Sequence, residues 1–414
     1  MVIVMQQIKL AVAGAQILFV AFGAMVLVPL LTGLNPAMAL LGAGIGTLLF
    51  QLFTGRKVPV FLGSSFAFIA PIIYSMAEWG MGATMFGLFA AGFMYFLFAA
   101  LIKWRGLAAV HRLLPAVVIG PVIMVIGLSV AAVASQMAMG QAGGDQVVDY
   151  TQSLILSGFT FVVTVLVAVF GSKMMKLIPI LVGVAAGYLL AWAMGLVDTS
   201  AIAAAPWFAV PQFHAPEVNW QAALFMLPVA IAPAIEHIGG IMAIGKVTGR
   251  DYAADPGLHK TLAGDGMGVC VAGLIGGPPV TTYGEVTGAV MLTKNSNPVI
   301  MTWAALFAVA MAFFGKFNAF LASIPLPVMG GVMILLFGTI ASLGLKTLID
   351  AQVDLMKPKN LVIVSSVLTT GVGGMVFKFG SLSFAGVGLC ALLAMVLNLV
   401  LPDREADEAV KPSS

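Results

Sequence analysis

From residue 8 to residue 401 the chain is a near-continuous series of apolar stretches long enough to cross a hydrocarbon layer, separated by short polar turns. A bilayer offers no water to backbone N–H and C=O groups, so such a chain is confined to helices or a closed barrel, and uniformly apolar runs of this length are helical. The reading is an all-α polytopic membrane protein. With 61% apolar and 8% charged residues and a mean hydropathy of +1.09, the chain has no stretch polar enough for an appended soluble domain. Lys9 followed by an apolar run to Leu31, without a small-residue cleavage site, reads as a retained first span rather than a signal peptide. Cys270 and Cys390 both fall in apolar spans with no disulfide or metal-ligand spacing, so they read as inert packing, and neither a metal site nor a cofactor is expected.

Fourteen spans are predicted, at about 8–31, 36–54, 58–75, 81–102, 113–135, 152–171, 175–195, 220–245, 258–275, 279–293, 297–316, 324–345, 359–377 and 381–401. Basic residues test that count, because Lys and Arg collect on the cytoplasmic side. With both termini in the cytoplasm, seventeen of the nineteen fall inside, from Lys9 through Lys57, Arg112, Lys246 and Lys294 to Arg404 and Lys411, and only Lys316 and Lys378 fall outside. The long outside loops Gln136 to Thr151 and Leu196 to Asn219 contain none. A missed span would scramble this pattern.

An internal repeat is legible. Asn35-Pro36 precedes a GxGxG stretch at Gly42, and Asp255-Pro256 precedes another at Gly264; Leu114-Pro115 and Leu326-Pro327 each open a glycine-bearing apolar span. Each half then holds seven spans, an odd number, so the halves must have opposite orientation, as in the inverted repeats of secondary transporters.

Within this frame Gly276 to Lys294, GGPPVTTYGEVTGAVMLTK, cannot be one continuous helix. Pro278 and Pro279 remove backbone donors, Val280, Thr281 and Thr282 prefer extended backbone, and helix becomes feasible again from Tyr283. The third span is interrupted in the same way, by Pro59, Gly63-Ser64-Ser65-Phe66 and Pro71. Irregular backbone at bilayer depth survives where it lines a polar cavity, and broken helices meeting near the midplane form the substrate sites of secondary transporters. Spans 3 and 10 are therefore read as broken by short antiparallel strands, with the helices beyond them aiming free N–H groups into one cavity.

Ionisable groups inside spans are costly and mark function. After the tail and loops are set aside, Glu236, Asp265 and Glu285 remain. Glu236 reads as an acceptor for ring N–H groups of a small polar solute, against a packing role beside His237. Glu285 sits at the start of the resumed helix, where dipole complementarity alone is worth only about 0.3–1 kcal/mol, too little to account for burial. Either glutamate is a candidate proton site. His237 is equally a relay or a hydrogen-bonded structural residue. Asp265 is read as reaching the interface near Lys260 in preference to lining a vestibule. Donors from the helix starts together with Glu236 suit a planar, amide-like ring.

The blocks FLGSSFAFIAP (61–71), AIEHIGG (234–240), DPGLHKTLAGDG (255–266), TTYGE (281–285) and IPLPVMGGV (324–332), with Phe22–Phe50, resemble bacterial uracil permeases of the nucleobase/ascorbate transporter family, nucleobase:cation symporter 2, over nearly the whole chain. The resemblance implies seven plus seven inverted spans. It divides them into a core at about 8–102 and 220–316 and a gate at about 113–195 and 324–401, with 402–414 a cytoplasmic tail. It further implies proton-coupled uptake of uracil or a related nucleobase across the bacterial inner membrane, a homodimer in the lipid bilayer, and no nucleic-acid partner. By resemblance Glu236 binds the pyrimidine, Glu285 is the acid of the signature motif, Gly284 and Phe66 supply backbone contacts, and Tyr283 and Ala24 line the pocket. Glu285, Glu236 and His237 would carry the coupled proton. Two positions depart from the pattern: Val286 stands where the family usually has Asn, and Gly240 where its uracil permeases can carry a second His.

The nearest rival is a xanthine or urate symporter. A channel or anion exchanger of the same architecture should carry a basic residue at the site, and spans 3, 8 and 10 have none before their cytoplasmic ends. A membrane enzyme finds no support, since no HExxH, paired metal ligands or GxSxG lies in a span.

Overall fold

The computed structural model describes residues 2–380 and 382–402. The tail beyond Pro402, with Arg404 and Lys411, and the side chain of Ala24 lie outside the described residues. In the first half the chain forms α1 (Val2–Thr32), α2 (Pro36–Phe53), β1 (Leu62–Ser64), a 3₁₀ turn (Phe66–Phe68), α3 (Ile69–Arg105), α4 (Leu107–Leu113), α5 (Ala116–Ser129), α6 (Ala131–Ala138), β2 (Gln141–Ala142), β3 (Asp145–Gln146), α7 (Tyr150–Phe170) and α8 (Pro179–Ala193). After α9 (Ser200–Ala204) come α10 (Trp220–Met226), α11 (Ile231–Thr248), α12 (Leu258–Ile275), β4 (Val280–Thr282), α13 (Gly284–Thr293), α14 (Val299–Ala312), α15 (Gly315–Ala322), α16 (Leu326–Asp350), α17 (Pro358–Val372), β5 (Val376–Phe379), β6 (Leu382–Ala385) and α18 (Gly386–Val400). Among the described residues seven helical segments are long and apolar enough to cross a membrane, and three shorter apolar helices accompany them. This is a mostly helical, multi-pass membrane protein.

Local sequence explains where the helices begin and end. Asn35 caps α2 by accepting from the Ala37 N–H at 2.9 Å, with Pro36 opening the first turn, and Asn219 caps α10 in the same way. Gly249 and Gly276, with φ of 70° and 93°, take the left-handed position that ends α11 and α12.

The third and fourth predicted spans run into one another in α3, broken at Gly80 (φ 83°, ψ 178°). Across that break Ser75 and Thr84 share a hydrogen bond at 2.8 Å, and the Thr84 hydroxyl donates to the Gly80 carbonyl. The thirteenth and fourteenth predicted spans are too long by several residues at the ends where they meet. Helix α17 ends at Val372, Gly374 (φ 67°) turns the chain beyond it, and the segment up to α18 pairs as the β5–β6 hairpin around Gly380 (φ 59°). A second hairpin, β2–β3, turns at Gly143-Gly144 in the loop before α7, where two positive φ values suit a tight turn. The all-α expectation thus holds for the spans and is amended at these strands.

Glycines decide how the helices meet. Gly46 of α2 and Gly268 of α12 face each other so closely that a Cβ on either would lie within 3.4 Å of the other's Cα. The small residues of the GxGxG stretches thus let two backbones touch. Helices α1, α2, α3, α10, α12 and α14 pack together, and α5, α7, α8, α16, α17 and α18 form a second group. A separate apolar cluster of Leu27, Val28 and Ile69 against Val130, Ala134, Met333 and Phe337 joins the two groups.

Candidate functional site

Where the two broken spans cross, β1 and β4 pair antiparallel, with Leu62 opposite Thr282, Gly63 opposite Thr281 and Ser64 opposite Val280. The ladder continues at its ends, since the Ser65 N–H donates to the Pro279 carbonyl at 2.8 Å and the Tyr283 N–H to the Phe61 carbonyl at 3.3 Å. On its outer side the Leu62 N–H donates to Thr47 Oγ1 at 2.9 Å, so α2 supplies a partner that a bilayer would not. Leu62 and Val280 rest on the Gly46–Gly268 crossing. From opposite ends of this ladder the 3₁₀ turn leading into α3 and the first turn of α13 set out, and neither start has a side-chain cap. Their first N–H groups are left to other acceptors, and each start carries the positive end of a helix dipole.

Tyr283 is fixed across the ladder. Its hydroxyl donates to the Ser64 carbonyl at 2.9 Å, and its ring lies where a Cβ on Gly63 would come within 2.5 Å, so position 63 admits glycine alone without a shift. The rings of Phe66 and Tyr283 are 10° from parallel with centroids 6.5 Å apart, and Phe66 meets Phe337 of α16 edge-on at 6.2 Å.

Glu236 and Glu285 lie within electrostatic range of Tyr283, and Gly284 follows it in the chain. Glu285 is half-buried in the first turn of α13, and Gly284 is exposed. Glu236 carries open surface, yet it lies deep in the protein within electrostatic range of Glu285 and Asp265, and Tyr283 is within range of both glutamates. Open surface at depth describes a cavity wall. Among the described residues neither glutamate has a salt-bridge partner. The open face continues along α11 from Glu236 through Gly239, Gly240 and Ala243 to Lys246, successive turns on one side, and along α13 to Met291, whereas Pro228 to Ala234 are buried. The cavity therefore opens toward the end that bears Lys246 and Lys294.

His237 is turned away from this space. Its Nδ1 lies 3.0 Å from Asp265 Oδ2, both side chains are wholly buried, and the ring meets Phe50 edge-on at 6.0 Å. The expectation that Asp265 reaches the interface near Lys260 is therefore corrected. The GxGxG packing of α12 draws Asp265 inward, and α11 presents His237 to it. Val286 is 1% exposed and so belongs to the packing, not to the open face. A Cβ on Gly240 would lie 3.1 Å from Thr282 Oγ1, so the glycine keeps α11 close to β4. Phe337 and the Asp265–His237 pair were not foreseen as neighbours of the site. Phe337 is one of 27 phenylalanines with no motif around it, and the pairing is a long-range contact without a spacing signal.

Comparison with known proteins adds family to geometry. The Permease family matches residues 8–379. The chain is 54% identical over 394 residues to a probable uracil permease of Pasteurella multocida, covering 95% of this chain and 94% of that protein. It is 47% identical over 397 residues to a uracil permease of Bacillus caldolyticus, covering 94% and 91%. The transmembrane domain of a cyanobacterium bicarbonate transporter, BicA, shares the fold with a TM-score of 0.61 at 16% identity, covering 94% of this chain and 96% of that one. With the family match spanning most of the chain and the motifs meeting at the strand crossing, this protein belongs to the Permease family, in the nucleobase:cation symporter 2 group that its motifs resemble, and is a transporter and not an enzyme.

Proposed function

We propose that the protein is a uracil:proton symporter of the bacterial inner membrane that works by alternating access. The observation that carries this reading is the wall of one deep cavity. It brings together two carboxylates without cationic partners among the described residues, an uncapped helix start and a pair of parallel aromatic rings. A flat ring with alternating C=O and N–H edges matches such a wall. Helix-start N–H groups donate to carbonyl oxygens, Glu236 accepts from ring N–H groups, and Phe66, aligned by the buried Tyr283 ring, offers its face. Relatives named uracil permeases support uracil as that ring.

In this reading Glu285, Glu236 and His237 hold the coupled proton, His237 through its contact with Asp265. Fourteen spans in two inverted halves are supported by the packing, which keeps its pattern when each span is exchanged with the one seven later: α12 on α3 mirrors α2 on α14, and α7 on α8 mirrors α17 on α18. The group built on α1, α2, α3 and α10 to α14 is the core that carries the site, and the α5–α8 and α16–α18 group is the gate. Both termini are cytoplasmic, the open end of the cavity faces the cytoplasm, and two copies form the dimer that the family resemblance implies.

Uracil binding by purified protein tests the site. Glu236→Gln should abolish binding, because an amide replaces the acceptor pair with one acceptor and a donor. Glu285→Gln should damage uptake more than affinity. Normal binding and transport by both variants would refute the assignment.

A further inference from the structure

Beyond Phe66, on the side opposite the open cavity, residues Ala70, Tyr74 and Glu78 follow at four-residue steps along one face of α3. Ala70, Pro71 and Tyr74, with Phe225 of α10, form one wall of a second cavity of about 210 Å³; Ser129 of α5, the end of α17 and the β5–β6 hairpin form the other. Its two walls thus belong to the two helix groups. The hairpin covers part of it, with Val376 and Ala385 among its lining residues. Strand β6 packs on α10, and just behind, Gly388 of α18 approaches the Val229 backbone so closely that a Cβ would meet its nitrogen at 3.2 Å. At the rim, where the stripe on α3 ends, Glu78 Oε1 lies 3.8 Å from Lys378 Nζ at the turn of the hairpin. Of the other ion pairs whose partners are described, Lys57–Asp255 and His237–Asp265 stay within the α1–α3 and α10–α14 group and Lys346–Asp350 stays within α16.

We propose that the β5–β6 hairpin is the lid over the far half of the solute path and that the Glu78–Lys378 ion pair latches it shut. The inference rests on the transporter reading in which the two helix groups move against each other. The hairpin suits that role because it ties α17 to α18 and so moves with one group, while Glu78 of α3 and helix α10, on which it packs, belong to the other. Opening this side separates Lys378 from Glu78, and the ion pair therefore adds to the closed state and nothing to the open one.

The test uses purified full-length protein in lipid nanodiscs, with a cysteine placed in the wall of this cavity as Ser129→Cys and a water-soluble maleimide as probe. The parent chain reports the background from Cys270 and Cys390, both buried. Lys378→Glu, and in a second variant Glu78→Gln, should speed labelling of that cysteine about two- to five-fold, the scale of an exposed ion pair. The exchanged pair, Glu78→Lys with Lys378→Glu, should return it to the parent rate. Unchanged labelling in both single variants, or an exchanged pair as fast as Lys378→Glu alone, overturns the latch. No solute enters the measurement, so its outcome is independent of whether uracil is the substrate.

Discussion

Glu236, Asp265 and Glu285 all stand out in the sequence because carboxylates inside apolar spans are rare, yet the further reading of Asp265 as reaching the interface does not hold. Sequence distance from the span end suggested escape to the interface, and the closeness of α11 to α12 removed that option. The His237–Asp265 pair, wholly buried at 3.0 Å, now makes its own demand. Removing His237 leaves the Asp265 carboxylate with Thr281 alone, and removing Asp265 deprives the imidazole of its carboxylate, each at a cost of about 1–3 kcal/mol, whereas removing both costs less than the sum. A double-mutant cycle of His237→Leu and Asp265→Leu, read from unfolding midpoints in detergent, should give a coupling of about 0.5–3 kcal/mol. Additive effects would mean that the two side chains do not depend on each other.

Among the elements, the broken spans were readable down to their strands, since prolines and three consecutive β-branched residues leave little choice of backbone, and β4 forms over Val280–Thr282. What was not read was the hairpin ending the thirteenth span, because Met375 to Phe377 continue the apolar run of α17, and the interruption by Gly374, Lys378 and Gly380 marks a turn without marking strands. Nor does local pattern reveal why Gly63 stands opposite Thr281; that reason lies in Tyr283, 220 residues on, whose ring occupies the space a side chain would need. Gly63→Ala must push that ring off, breaking its bond to the Ser64 carbonyl and its alignment with Phe66, at an overpacking cost of about 1–3 kcal/mol. Tyr283→Phe loses one hydrogen bond, worth about 0.5–1.5 kcal/mol, and keeps the ring in place. Uracil affinity should therefore fall roughly ten-fold or more in Gly63→Ala and less in Tyr283→Phe. The reverse order, measured by equilibrium binding, would show that ring position does not set the site.

At the scale of the whole molecule, the proposed coupling makes a demand on energetics that no single residue makes. Uracil is neutral, so carrying it with one proton moves one positive charge inward per cycle. That charge gains about 2.3 kcal/mol from each 100 mV of membrane potential, which alone sustains an accumulation of about fifty-fold. Each unit of pH difference adds a further factor of ten, or about 1.4 kcal/mol. A carrier without coupling has neither source, and its internal solute stops at the external concentration. In vesicles holding the purified protein, imposing an inside-negative potassium diffusion potential should therefore drive uracil above equilibrium. A protonophore that lets protons follow the same potential should leave the peak unsupported once both gradients have collapsed. Clamping the potential at zero with no pH difference should leave plain equilibration. Accumulation that persists through both treatments would exclude the proton as the driving ion and leave the paired glutamates with substrate recognition alone.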